Sequence, residues 1–221
     1  MPKNPLKEAC IVSLREAIAA ETNGVHQLEL CSHIELDGLT PDIELVKQVL
    51  SHVSIPVKVM IRPRGGNFTY NAEDKKQIIA DIETMKAAGV KHFVYGSIAN
   101  GSLDIEDISH VLRHIAQNDY EIASLTIHKA IDSCRDIIDE IDKIEKSRLI
   151  ELKYRIGISL SILTSGGAST AAEGKETLRA LVMRVKEVDI IPAGRITQEN
   201  ISQLHDYLGA NCYHGRKIVS L

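Results

Sequence analysis

Two arginines stand at the end of one short β-prone run, in the stretch Pro56 to Tyr70, PVKVMIRPRGGNFTY. Strand propensity accounts for the run, and Pro63 with the two following glycines accounts for its abrupt end. Folding alone asks for no guanidinium there, let alone two. Arginine is the side chain that holds a planar carboxylate or a phosphate with several donors at once, so Arg62 and Arg64 point to an anion. Two earlier runs each carry a Glu-x-Cys pair, Glu8 with Cys10 and Glu29 with Cys31. Two later runs end in histidine, His128 and His214.

Three chemistries use these types. General acid–base work needs a carboxyl or imidazole pair, and Glu8, Glu29, His128 and Asp132 are the candidates, their pKa values tuned by nearby arginine. Binding of a small anionic ligand would use Arg62, Arg64, Thr126, Ser165, Gly166, Gly194, Arg195 and His214. In this reading the glycine turns leave backbone N–H groups free to face an oxyanion, as barrels do near their last strands. Thiolate and imidazole ligands suit copper or zinc, and Cys10, Cys31, His128 and His214 form the candidate metal set. Arg62 counts against a cation, and no ligand pair has a recognised close spacing. No lysine is placed for a Schiff base: Lys58 shares the Arg62 face but sits low, and Lys129 should point outward if His128 points in. A purely structural alternative also exists, since a Glu inside a strand cannot stay charged and unpaired. A Glu8–Arg62–Glu29 network would explain three of these residues without chemistry, but not the arrival of both histidines.

The elements that must position them alternate in type. Strands are expected over Lys7–Val12, His26–Cys31, from Pro56, over Val90–Gly96, Ile122–His128, Ile158–Thr164, Val188–Ala193 and Ala210–His214. Helices between them are capped by Ser13, Thr40, Asp132 or Ser133, and Thr197. The segment from Asp132 to about Ile156 reads as one long charged helix. Ala72–Ala88 reads as another, closed by Gly89. Gly174 either weakens the helix before Glu187 or marks its true start. Eight strands in 221 residues predict an α/β TIM (β/α)8 barrel, one domain over 1–221, whose strand C-termini gather the polar residues. The chain stops seven residues after His214, which predicts a short or absent eighth helix. It also suggests an open side between strands eight and one, covered by a second copy. A homo-oligomer, with a dimer favoured, follows.

Hydrophobic residues make up 44% of the chain and the formal charge is −4. No Lys/Arg stripe stands out, so no nucleic-acid partner is expected. No apolar run approaches the roughly 20 residues of a membrane span, and the first residues, MPKNPLKEACIVS, do not read as a signal peptide; a cytoplasmic protein is expected. The four widely spaced cysteines form no CxxC pair and suggest neither a disulfide framework nor a zinc knuckle.

ELC (Glu29 to Cys31), GLTP (Gly38 to Pro41), IRPRGGNF (Ile61 to Phe68), TIHKAID (Thr126 to Asp132), LTSGG (Leu163 to Gly167) and HGRKIV (His214 to Val219) together resemble the CutC family, the so-called copper homeostasis proteins. The motifs span nearly the whole chain in the family's order. The resemblance implies a cytoplasmic TIM barrel, often oligomeric, with a polar cluster at the C-terminal rim and a name tied to copper tolerance rather than to an established activity. It carries family-type positions onto Glu8, Glu29, Cys31, Arg62, Arg64, Thr126, His128, Asp132, Ser165 and His214. Lys129 stands where the family often has arginine, and Arg195 follows Gly194 where a small residue is common. Two functions are therefore expected side by side: copper binding, or an enzyme acting on a small anionic metabolite held by Arg62 and Arg64. A non-catalytic scaffold is the third.

Overall fold

The structure, a computed structural model, describes residues 4–221. Its eight parallel strands are β1 (Leu6–Ile11), β2 (Gln27–Leu30), β3 (Val57–Met60), β4 (His92–Tyr95), β5 (Ser124–Ile127), β6 (Ser159–Thr164), β7 (Asp189–Pro192) and β8 (Cys212–Gly215). Helices α1 (Leu14–Thr22), α2 (Ile43–His52), α3 (Ala72–Ala87) and α4 (Ile105–Ile115) fill the first four connections. Helices α5 (Ile137–Glu145) and α6 (Arg148–Ile156) share the fifth, and α7 (Lys175–Arg184) and α8 (Ile201–Leu208) take the last two. A small antiparallel hairpin, pairing Ile98 with Leu103, stands where a loop was expected between β4 and α4. No helix among the described residues is long and apolar enough to cross a membrane.

The sheet runs β8-β1-β2-β3-β4-β5-β6-β7 and curls into a nearly closed barrel. The expected gap between strands eight and one is not there, since β1 pairs β8 from Leu6↔Cys212 to Ala9↔Gly215. The seam lies instead between β7 and β8. It is bridged beyond the strand ends, where the Gln198 N–H donates to the Lys217 carbonyl at 2.9 Å. No helix follows β8, as expected.

Strand alternation divides two interiors. Val57, Val59 and Ile61 face outward into the main core with helix residues such as Ile78 and Ile82. Cys10, Cys31, Met60 and Val94 face inward as a separate cluster. Both faces of each strand are thereby covered, as a parallel sheet requires.

Several caps differ from expectation. Asp42, not Thr40, caps α2 by accepting from the Glu44 N–H, which frees the Thr40 hydroxyl to donate to Asp81 and accept from the Arg62 N–H. The long helix from Asp132 is a 3-10 turn (Lys129–Ser133) followed by two helices capped by Asp136 and Ser147. The break allows the chain to turn back over the β5 and β6 ends. Helix α8 starts at Ile201, and Thr197 accepts instead from the Glu199 N–H. Gly174 marks the true start of α7.

Candidate functional site

Parallel register sets the inward residues of β1, β2, β3 and β8 side by side. Glu8 lies beside His214, Cys10 beside Glu29, and Glu29 beside Lys58. Glu8 is fully buried and accepts from Lys58 Nζ at 2.7 Å, Gln27 Nε2 at 2.7 Å and His214 Nδ1 at 2.8 Å. Burial alone would raise its pKa; the Lys58 ammonium and the His214 ring outweigh that and bring it down to about 2. Lys58 and His214, not Arg62, are therefore the partners of the Glu8 carboxylate.

With Nδ1 committed to Glu8, His214 turns Nε2 towards Glu29 Oε1, 3.9 Å away, and towards the Cys10 thiol. Burial opposes a charge on this ring, but Glu29, Cys10 and Glu8 together hold its pKa well above the usual imidazole value. Burial also raises the pKa of Glu29, whose Oε2 has no hydrogen-bond partner. Cys10 Sγ lies 3.6 Å from Cys31 Sγ. That contact and burial raise the Cys10 pKa well above the ordinary thiol value. One ligand atom each from Cys10, Glu29 and His214 falls within 4.8 Å of the others. Together with Cys31 they floor a cavity of about 670 Å³ at the C-terminal rim, which Arg62, Phe68 and His128 also line.

Arg62 is buried beyond the end of β3. Its Nη1 donates to the Leu36 and Gly38 carbonyls at 2.8 and 3.0 Å, and its Nη2 to the Gly66 carbonyl at 2.9 Å. Two rim loops are thus tied to one guanidinium, whose Nε is left without a partner. The guanidinium lies 4.6 Å from the Phe68 ring centroid, and the His128 ring centroid lies 4.9 Å from the same ring. His128 accepts the Ala130 N–H on Nδ1, so Nε2 carries the proton, and that atom is buried and unpartnered. Burial and the Arg62 charge bring its pKa down to about 3. At neutral pH His128 is a hydrogen-bond donor rather than a titrating acid or base.

The remaining expected residues are placed as follows. Arg64 does not line the cavity; its Nε donates to both Asp74 oxygens at 2.9–3.0 Å, pinning the loop to α3. The nest expected to hold a ligand's oxyanion after β6 is filled by Asp132. Its carboxylate accepts from Thr164 Oγ1 at 2.5 Å, from the Ser165 N–H and Oγ at 2.9 Å, and from the Gly167 N–H at 3.0 Å. The Gly166 N–H donates inside the loop, to Thr164 Oγ1. Thr126 sits deeper in the barrel, bonded to Ser161 at 2.9 Å. Gly194 and Arg195 line the cavity, Arg195 in the left-handed region at φ 56°.

Of the candidate metal set, the structure brings Cys10, Cys31 and His214 together and keeps His128 against Phe68. Glu29, read as an acid–base residue, joins the sulfur cluster instead. Lys129, expected to point outward, lines the cavity, because strand alternation stops at His128 and a 3-10 turn begins. Phe68 was not singled out as a site residue. Its signal was its place in the rim loop, two residues after the Gly65-Gly66 pair that follows the arginines.

A near-closed ring of eight parallel strands with its polar cavity at their C-terminal ends defines a TIM-barrel-like protein. More narrowly, the chain belongs to the CutC family, whose model matches residues 6–219. A family protein CutC from Histophilus somni (strain 2336) is 34% identical over 199 residues, covering 89% of this chain and 76% of that protein. The human copper homeostasis protein cutC homolog is 31% identical over 211 residues, 95% of this chain and 72% of its own length. The crystal structure of a CutC protein from Streptococcus agalactiae superimposes with a TM-score of 0.82 at 26% identity, covering 98% of this chain and 100% of that one.

Proposed function

We propose that the chain is a cytoplasmic copper-handling protein and that the sulfur-rich floor of the rim cavity is where it takes its cargo. The observation that carries this reading is the Cys10–Cys31 thiol pair, 3.6 Å apart, whose Cys10 sulfur is grouped with His214 and Glu29. Two sulfurs and an imidazole are soft and borderline donors, a set that suits Cu(I) and disfavours Mg²⁺ or Ca²⁺, which take oxygen. Glu8 supports it: by accepting from His214 Nδ1 it fixes the ring so that the other nitrogen is left for the Cys10 and Glu29 side, the outer-shell arrangement common behind metal-binding histidine. The name of the human relative points the same way. All four cysteines are free, which suits a compartment that keeps thiols reduced.

The test is competition for Cu(I) against a chromophoric chelator under anaerobic, reducing conditions. The reading expects one equivalent retained per chain. It expects Cys10→Ser and Cys31→Ser each to weaken retention at least tenfold while the far-ultraviolet circular dichroism stays unchanged. Failure of the folded wild-type chain to retain Cu(I) would overturn it.

A further inference from the structure

A single metal ion leaves most of a 670 Å³ cavity unused, and that volume is typical of pockets that hold small organic molecules. We propose that this cavity binds a small organic anion, through a carboxylate or phosphate group received by Arg62 Nε and His128 Nε2. Both side chains are almost completely buried, at 2% and 3% exposure, and both line the cavity. Both atoms are N–H groups with no partner, in residues whose other polar atoms are already used. Neither can accept, so the group that satisfies them must be an acceptor, and an oxyanion is the strongest one. Phe68 is in contact with both side chains and supplies apolar surface beside them for the rest of the ligand.

The charge at the mouth agrees. Lys129, Arg195 and Arg216 line the cavity together with Arg62, on a chain whose formal net charge is −4. Arg216 is held by Glu16 at 2.7 Å, and Lys129 is 3.8 Å from Asp132. The Arg195 guanidinium has no partner among the described residues and stands on a left-handed backbone that glycine would adopt more easily. Three acids face the same space, Glu29, Asp37 and Asp132, against these four cations, and the Asp132 carboxylate is turned into the donors of the β6 loop. The cavity is therefore locally positive inside an acidic protein, which is a device for concentrating anions.

The site needs no copper, so it is tested on chelator-treated, metal-free protein. Its failure and the failure of the copper reading are therefore separate results. Inorganic phosphate and succinate are titrated at constant ionic strength, with chloride as the control, and followed by calorimetry and by the ¹H–¹⁵N signal of His128 Nε2. Saturable binding of one probe, with a downfield shift of that proton, is expected; the tighter probe identifies the group. His128→Phe keeps the ring contact and removes the donor, and should weaken binding at least tenfold. Arg195→Ala, at an exposed position, should weaken it about threefold and reduce its salt dependence. Binding that chloride reproduces, or that survives His128→Phe undiminished, would overturn the proposal, as would no binding of either probe.

Discussion

His128 shows how one buried side chain acts on stability and on ligand choice together. Its folded pKa of about 3 lies well below the 6.5 of the free side chain, because burial and Arg62 exclude the charge. Between those values the unfolded chain takes up a proton that the folded barrel refuses. Stability is therefore full above pH 6.5 and falls as the pH drops towards 3, by about 1.4 kcal/mol for each pH unit from this residue. Urea midpoints of the wild-type protein should fall more steeply between pH 6.5 and 4.5 than those of His128→Gln; parallel curves would contradict this. Glu8 adds its own acid sensitivity lower, between about 4.5 and 2. At this scale the sequence was read well for facing and poorly for pairing. Period-two alternation puts Glu8, Cys10, Glu29, Cys31 and Lys58 inside the barrel, and they are there. Which cation meets which carboxylate depends on the stagger between strands. That stagger sets the Lys58 backbone level with Glu29 and Cys10, from where its long side chain reaches Glu8, and it carries Arg62 past the sheet, onto three carbonyls.

The elements show why loops are harder to read than strands. Strand cores were legible because β-branched runs between turn residues leave few alternatives. The segment 129–156 was not, because its charges follow one helical period while Asp132 is drawn out of it by the donors of the β6 loop. The start of α7 belongs to the same packing. A Cβ at Gly174 would strike the Ser165 carbonyl oxygen well inside contact distance. Gly→Ala in an ordinary helix gains up to about 1 kcal/mol. Here overpacking reverses the sign, and Gly174→Ala should destabilise the protein by about 1–3 kcal/mol. A lowered thermal midpoint is the expected outcome, and a raised one would show that this loop does not pack on the helix start.

Across the whole molecule, eight strands order the cavity but do not fully close around it. The β7–β8 seam lacks ladder hydrogen bonds, so amides facing it should exchange with deuterium faster than those of β2 and β3. Equal protection would mean that the ring closes in solution. The barrel itself was legible from strand count and length, whereas the position of its weak side was not. Chain length suggested β8–β1, but pairing of β1 with both neighbours needs only four residues of β8. Glu29, Arg62, His128 and His214, drawn from four different strand ends, meet at one cavity. The most direct measurement of what that convergence is for is the Cu(I) competition titration of the wild-type chain beside Cys10→Ser and Cys31→Ser. One equivalent held by the wild type and lost from both folded variants is the predicted result. Retention that is indifferent to both sulfurs would contradict it.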